Sequence, residues 1–383
     1  MNRWATGGAD GTLRGKDELP GLRLAPLSRT MADYDSTGFT LCSFVGVVEE
    51  EDIMKYNRRR VTLGLAAAGL MPHFPIASAQ SPMKLTLAHN TQPSSPKGMG
   101  ASRFAELVAA KTLGRITVNV AHSEQLGNEN TNMAALRTGT LDFGSLGQGA
   151  LLSVVPEVAA LGLPFLFANL PDAWAALDGP VGQRLAKALE TKNLVFLAWW
   201  CNGIRQTTNN KYPITKPEDF KGLKIRTPLD TATVDMFSAL GATPQQISWG
   251  EVYLALQSGV VDGQENPLAN IYAGKLYEVQ KYVTFTNHKY EMTGLIVSTA
   301  TWKRLAEADQ KLIREAAAET TVYQRKTMAE AEENLVAEFK KMPNIQMNTV
   351  DTAPFRKATE VVWDQWEKKP FGDFVKELRA IRK

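Results

Sequence analysis

Two runs in this chain carry the side chains best able to hold a small charged molecule. The first is Trp199-Trp200-Cys201-Asn202-Gly203-Ile204-Arg205-Gln206-Thr207-Thr208-Asn209, followed at a short distance by Lys221-Gly222-Leu223-Lys224-Ile225-Arg226-Thr227-Pro228. Each half places an arginine at the end of a strand-like stretch. A guanidinium presents a planar fork of donors that grips a carboxylate through two parallel hydrogen bonds. In α/β folds ligands gather at the carboxyl ends of strands, which is where Arg226 falls. The second run begins Trp249-Gly250-Glu251 and closes Asp262-Gly263-Gln264-Glu265-Asn266-Pro267. It supplies an aromatic face, a carboxylate and an amide. Each residue has a plainer use: the arginines in salt bridges, Trp249 in a core, Asn266 in the turn that precedes a proline.

The same inventory argues against catalysis. Beyond residue 79 the histidines are His89, His122 and His288, and none stands in a metal-binding spacing. The tripeptide Asp142-Phe143-Gly144 has no glycine-rich phosphate loop to go with it, and no nucleophile elbow or dinucleotide fingerprint occurs. Cys42 and Cys201 are the only cysteines, too few for a disulfide framework or a zinc site. The 43 basic and 40 acidic residues are well mixed, giving a net charge of +3. That distribution offers nucleic acid no basic stripe. A binding protein without cofactor or metal is the expectation.

The elements that position those runs follow from periodicity. Lys84–His89 and Arg115–Ala121 alternate as half-buried strands do, and Leu141–Gly144 enters a third. Helices are predicted over 98–112, stopped by Gly114, and over 129–138, stopped by Gly139. Asn193–Trp200 reads as a buried strand and Leu223–Arg226 as a shorter one. From Asp309 to about Lys341 there is neither Gly nor Pro, which predicts one helix of roughly 33 residues, close to 50 Å long. A helix of that length exceeds one small domain. The pattern as a whole predicts an α/β fold with helices covering mostly parallel strands.

An export signal stands well inside the chain. Met54-Lys55-Tyr56-Asn57-Arg58-Arg59-Arg60 is a basic start, Val61–Met71 is an apolar run too short to span a bilayer, and Ala77-Ser78-Ala79 is a small-residue cleavage pattern. Residues 54–79 are therefore expected to be a signal peptide whose Met54 is the true start. Residues 1–53 are expected to be a non-native upstream extension.

The quoted runs, with Leu85–Asn90, Gln125-Leu126-Gly127 and Gly139–Phe143, resemble the signature of the substrate-binding proteins of TRAP transporters, the DctP family. The resemblance covers essentially all of the chain after Ala79. It implies a two-lobed periplasmic binding protein with a hinge and a long lobe-spanning helix. Lobe I would comprise 84–202 plus about 292–331, and lobe II 203–291 plus about 332–383. It further implies a small carboxylate as ligand and the small and large TRAP permease subunits as membrane partners, with transport driven by an ion gradient and no nucleotide site. Arg226 matches the family's principal carboxylate anchor, Arg205 a second anchor, and Asn266, with Glu265 beside it, a ligand contact. Trp249 matches a ring packed on the ligand and Asn90 a polar contact from the other lobe. The stretch Gly144–Ala150 departs from members with charged ligand contacts there, which implies a less charged pocket in which Ser145 and Gln148 could bond hydroxyls. A sugar acid such as a uronate or aldonate is the favoured ligand. A C4-dicarboxylate, another organic acid, or a chemosensory role on the same fold is the alternative.

Overall fold

The alternating stretches become neighbouring strands, as their half-buried pattern requires. A computed structural model describes residues 82–382; the expected extension (1–53) and signal peptide (54–79) lie outside the described residues. β1 (Met83–Ala88) and β2 (Ile116–Ala121) pair in parallel, and β1 also pairs in parallel with β3 (Phe143–Gly147). Further along come β4 (Leu194–Asn209), β5 (Lys224–Thr227), β6 (Thr243–Gln246), β7 (Gly263–Asn266), β8 (Tyr282–Ser298) and β9 (Gln346–Thr349). All belong to one sheet of order β2-β1-β3-β8-β4-β7-β5-β6, with β9 against β8.

The expectation of mostly parallel strands holds at the two flanks and fails in the centre. β3–β8, β8–β4 and β4–β7 are antiparallel, while β5 runs parallel to both β6 and β7. The reason is the length of β4 and β8, at 16 and 17 residues. Each crosses from one parallel flank to the other, so the two α/β lobes share a pair of continuous strands. Their pairing slips between Cys201 and Gly203 and again between Arg205 and Thr207. Such irregularities leave a residue out of the ladder and re-aim its neighbours. The proposed lobe boundary at 202/203 falls on the slip between Cys201 and Gly203.

Each flank has its own apolar core. One gathers Leu85, Phe104, Phe143, Trp200 and Ile313, the other Phe220, Ile225, Phe237 and Phe355. A larger cluster runs through Trp199, Met292, Met328 and Trp363. The helix Glu307–Lys340 has 34 residues, about 50 Å at 1.5 Å per residue, and its apolar positions Ile313, Ala317, Met328, Leu335 and Phe339 contribute to two of those cores. Gln324 fixes it to β4: the amide accepts from the Cys201 N–H at 2.8 Å and donates to the Cys201 carbonyl at 2.7 Å. No helix among the described residues is long and apolar enough to cross a membrane.

Local chemistry sets the helix ends near the cleft. Ser95 caps the helix Pro96–Lys111 by accepting from the Gly98 N–H at 3.0 Å. Asn128 caps Glu129–Thr138, accepting from Asn130 and Thr131, and Gly139 ends it in the left-handed conformation at φ 80. That cap places Glu129 in the first turn of its helix.

Candidate functional site

A cleft enclosing about 630 Å³ of empty space, its open mouth included, lies where strand ends from both flanks meet. Arg226, Arg205, Asn266, Trp249 and Asn90, five of the seven residues singled out from sequence, line it. Glu265 and Gln148 do not; both are fully buried behind the wall.

Arg226 stands near the carboxyl end of β5, between β6 and β7, and is 3 % exposed. Its Nε and Nη2 donate to the Ile247 carbonyl at 2.9 and 2.6 Å. Nη1 has no hydrogen bond, and no carboxylate pairs with the group among the described residues. Burial, aided by the positive charge of Arg205, lowers its pKa to about 10, so it remains a cation at neutral pH. A buried cation held by one carbonyl is costly unless an anion arrives.

Arg205, on β4, is in the opposite condition. Its Nε donates to Glu265 Oε2, its Nη1 to Glu291 Oε2, and its Nη2 to Glu265 Oε1 at 2.7 Å and to the Glu265 carbonyl at 2.5 Å. Burial works against its charge, but the two carboxylates outweigh it and hold the guanidinium protonated. Burial also pushes Glu265 and Glu291 up, and Arg205 overrides this in both, leaving each well ionised. The expected second anchor is therefore already neutralised by the protein. Glu265, expected as a ligand contact, is spent on Arg205 and on His288, whose Nε2 lies 3.1 Å away. Burial keeps His288 below its ordinary pKa, and Thr286 Oγ1 meets its Nδ1 at 2.7 Å. A neutral ring donating from Nε2 satisfies both contacts.

Around these arginines the cleft is walled by amides. Asn266, at the end of β7, donates to Gln264 Oε1 at 2.6 Å and accepts from Asn270 at 3.3 Å. Asn270 also donates to Asn202 Oδ1 at 3.2 Å, and Asn202 donates to Glu291 at 2.7 Å. Asn270 Oδ1 is buried and has no partner among the described residues. Asn202 sits at the slip in the β4–β8 pairing, which turns its side chain out of the ladder and into the cleft wall. Trp249 is half-buried; a Cβ on residue 274 would stand 2.8 Å from its ring, so Gly274 is what lets the indole lie there.

The other wall comes from β1, β2 and β3. Lys97 is 3 % exposed and donates to Asn90 Oδ1 at 2.9 Å and to Glu129 at 3.3 Å. Glu129 accepts from the Gly147 N–H at 2.8 Å. Glu124 reaches the Gly250 N–H beside Trp249 at 3.2 Å. Gly147, Gly149 and Ala150 bring bare backbone to the lining, so the Gly144–Ala150 stretch is as uncharged as its sequence reads. Lys97, Glu124 and Glu129 supply charge to the cleft from neighbouring elements. Gln148 points away, donating to the Ala159 carbonyl at 3.2 Å, and Ser145 is fully buried and does not line the cleft.

Sequence reasoning thus missed Lys97, Glu124, Glu129 and Asn270, and quoted Asn202 without assigning it a role. The cap at Asn128 was a signal for Glu129, and the proline at the helix start a signal for Lys97. Nothing local marks Glu124 or Asn270. His89 Nε2 and His122 Nδ1 bond each other at 2.8 Å, and burial drives the His89 pKa down to about 2. No group of three or more metal-ligating side chains occurs among the described residues.

Comparison with known proteins is consistent along the chain. The model of the bacterial extracellular solute-binding proteins, family 7 (DctP), matches residues 87–369. An uncharacterized protein, y4mM, of Sinorhizobium fredii is 46% identical over 325 residues, 84% of this chain; the match spans only 60% of that relative's own length. A TRAP periplasmic solute binding protein from Polaromonas, solved with D-erythronate bound, is 35% identical with a TM-score of 0.76 over 79% of this chain and 99% of its own. One from Sulfurospirillum deleyianum with bound succinate is 34% identical at the same TM-score, covering 79% and 99%.

Proposed function

This chain belongs to the DctP family of bacterial extracellular solute-binding proteins, the substrate-binding proteins of TRAP transporters, and from that premise we propose that it is a periplasmic receptor for a sugar acid such as a uronate or aldonate. The ligand carboxylate pairs with Arg226, the lobes close over it about β4 and β8, and the loaded receptor delivers it to the small and large permease subunits. No bond is made or broken.

The observation that carries this reading is the unpaired Arg226 guanidinium, almost wholly buried in the cleft wall with Nη1 free. An incoming carboxylate completes the pair and satisfies the fork. Asn90, Asn202, Asn266 and Asn270 supply donors and acceptors for hydroxyls, which cost free energy if buried unpaired. Trp249 supplies an aromatic face for the C–H side of such a ligand. A C4-dicarboxylate is the second reading, favoured by the succinate bound to the Sulfurospirillum protein. It would need a second cation, and Arg205 is already committed to Glu265 and Glu291.

A thermal-shift screen of uronates and aldonates against succinate, malate and fumarate tests the choice. Ligand at ~1,000 times its dissociation constant stabilises by about 4 kcal/mol, enough to raise the melting temperature by a few degrees. Shifts with the dicarboxylates alone would reverse the preference. For Arg226→Ala, calorimetry should report binding weaker by ~10²–10⁴, and Arg226→Lys should fail as well because a point charge cannot reproduce the fork.

A further inference from the structure

The loop after β2 holds an arrangement that support of the fold does not explain. Ser123 and Glu124 both take left-handed backbone angles, φ 52 and φ 60, which side chains other than glycine adopt only at a cost. The loop is nonetheless pinned there: Ser123 N–H donates to the Thr91 carbonyl at 3.0 Å and Glu124 N–H to the His89 carbonyl at 3.2 Å. The result is a carboxylate carried from the first flank to the rim of the second. Its Oε2 accepts from Gly250 N–H at 3.2 Å, and a Cβ on residue 250 would stand 2.6 Å from that oxygen. Its Oε1 is buried and has no partner among the described residues, and Glu124 lines the same cleft as Arg226.

We infer that Glu124 decides between acids with one carboxylate and acids with two, accepting a ligand hydroxyl through Oε1 and repelling a second carboxylate. The inference rests on the reading that Arg226 holds the ligand carboxylate. Glu124 and Glu129 both line the cleft with that anchor, and the cation beside Glu129, Lys97, is already shared by Glu129 and Asn90. A four-carbon ligand such as D-erythronate presents hydroxyl donors to these oxygens. Succinate, of the same length, presents an anion. Like charges brought together at an interface are disfavoured, whereas a hydroxyl donating to a carboxylate is among the stronger neutral-to-charged bonds.

The variant Glu124→Gln separates this role from that of a clasp. Its carbonyl can still accept from Gly250 N–H, while the free oxygen becomes a neutral donor. Calorimetric titrations at pH 8 would compare D-erythronate, D-glucuronate and D-galactonate with succinate, malate and fumarate. Wild type should bind its best hydroxylated monocarboxylate at least about tenfold more tightly than its best dicarboxylate, and Glu124→Gln should narrow that ratio by at least about tenfold. Glu124→Asp, which keeps the charge but shortens the reach, should retain the discrimination against dicarboxylates. Equal weakening of both classes in Glu124→Gln, or a wild-type preference for a dicarboxylate, would overturn the inference while leaving the carboxylate at Arg226 in place. If no acid binds wild type, or Arg226→Ala leaves binding unchanged, the reading of the cleft itself is wrong and the selection falls with it.

Discussion

Arg205 and Arg226 are the same residue at nearly the same burial, 2 % and 3 % exposed, and both line one cleft. Around Arg205 the sheet has assembled two carboxylates, and behind them a histidine and a threonine. Around Arg226 it offers one carbonyl. The strands explain the contrast. Arg205 sits inside β4, flanked by β7 and β8, so side chains from three strands can reach it. Arg226 sits near the end of the short β5, where the sheet stops and the cleft begins. A buried cation that the protein has neutralised is part of the frame; one left without a paired carboxylate suits the proposed role of holding an anion that comes and goes.

The largest effect expected from this contrast concerns folding. Arg205→Ala leaves Glu265 and Glu291 buried without a cation, and removing one partner of such a network typically costs about 3–5 kcal/mol. Denaturant unfolding of the ligand-free protein should report that loss. A midpoint within experimental error of wild type would show that Arg205 is not part of the frame and would return it to the list of free anchors.

A third buried charge extends the comparison and lets it be read by pH. Glu332, half-buried on the helix Glu307–Lys340, accepts from Leu268 N–H at 3.3 Å and Ala269 N–H at 2.9 Å and has no cation paired with it among the described residues. Burial raises its pKa from 4.5 to about 7, against the pull of those two donors. Between those values the folded protein holds a proton that the unfolded chain has released, so stability falls as pH rises through the window and levels off above it. The expected loss is about 1–2 kcal/mol, less than the full shift would give because the group is partly solvated. Glu332→Gln keeps an acceptor and cannot ionise. Its stability advantage over wild type should therefore be absent at pH 4 and present at pH 8; equal pH profiles for the two proteins would remove Glu332 from the set of uncompensated charges.

These charges also mark where the sequence was readable. The first strands and helices, and the helix Glu307–Lys340, were legible because period and caps are local: alternation at Lys84–His89, Gly139 at a left-handed turn, the lack of Gly and Pro after Asp309. β4 was read only as far as Trp200, because Asn202–Asn209 is polar and its burial depends on partners in β7 and β8 some 60 to 90 residues away. β8 went unread for the same reason. The sequence and its family likeness pointed to Arg226, Asn266, Trp249 and Asn90, and the fold brings all four to the cleft. That Arg205 was paired, and Glu265 spent on it, is a tertiary fact with no local signal. Glu124 needed the strained loop and the bare Gly250 to be seen together.

The smallest expected effect bears most directly on the contrast. Arg226→Met replaces the free guanidinium by an apolar chain of similar length. It forfeits the hydrogen bonds to the Ile247 carbonyl, each worth about 1 kcal/mol, but it also removes a cation that pays for its burial with no counter-ion. The carbonyl left behind lines an open cleft, where water can replace the donor. The two terms oppose each other, so unfolding of the ligand-free protein should change by less than about 1 kcal/mol in either direction. Stabilisation by the sugar acid, by contrast, should vanish. Arg205→Ala should give the reverse pattern, a large loss of stability already present without ligand. If Arg226→Met unfolds as readily as Arg205→Ala, the two arginines are both structural, and the cleft has to find its anion-binding group elsewhere.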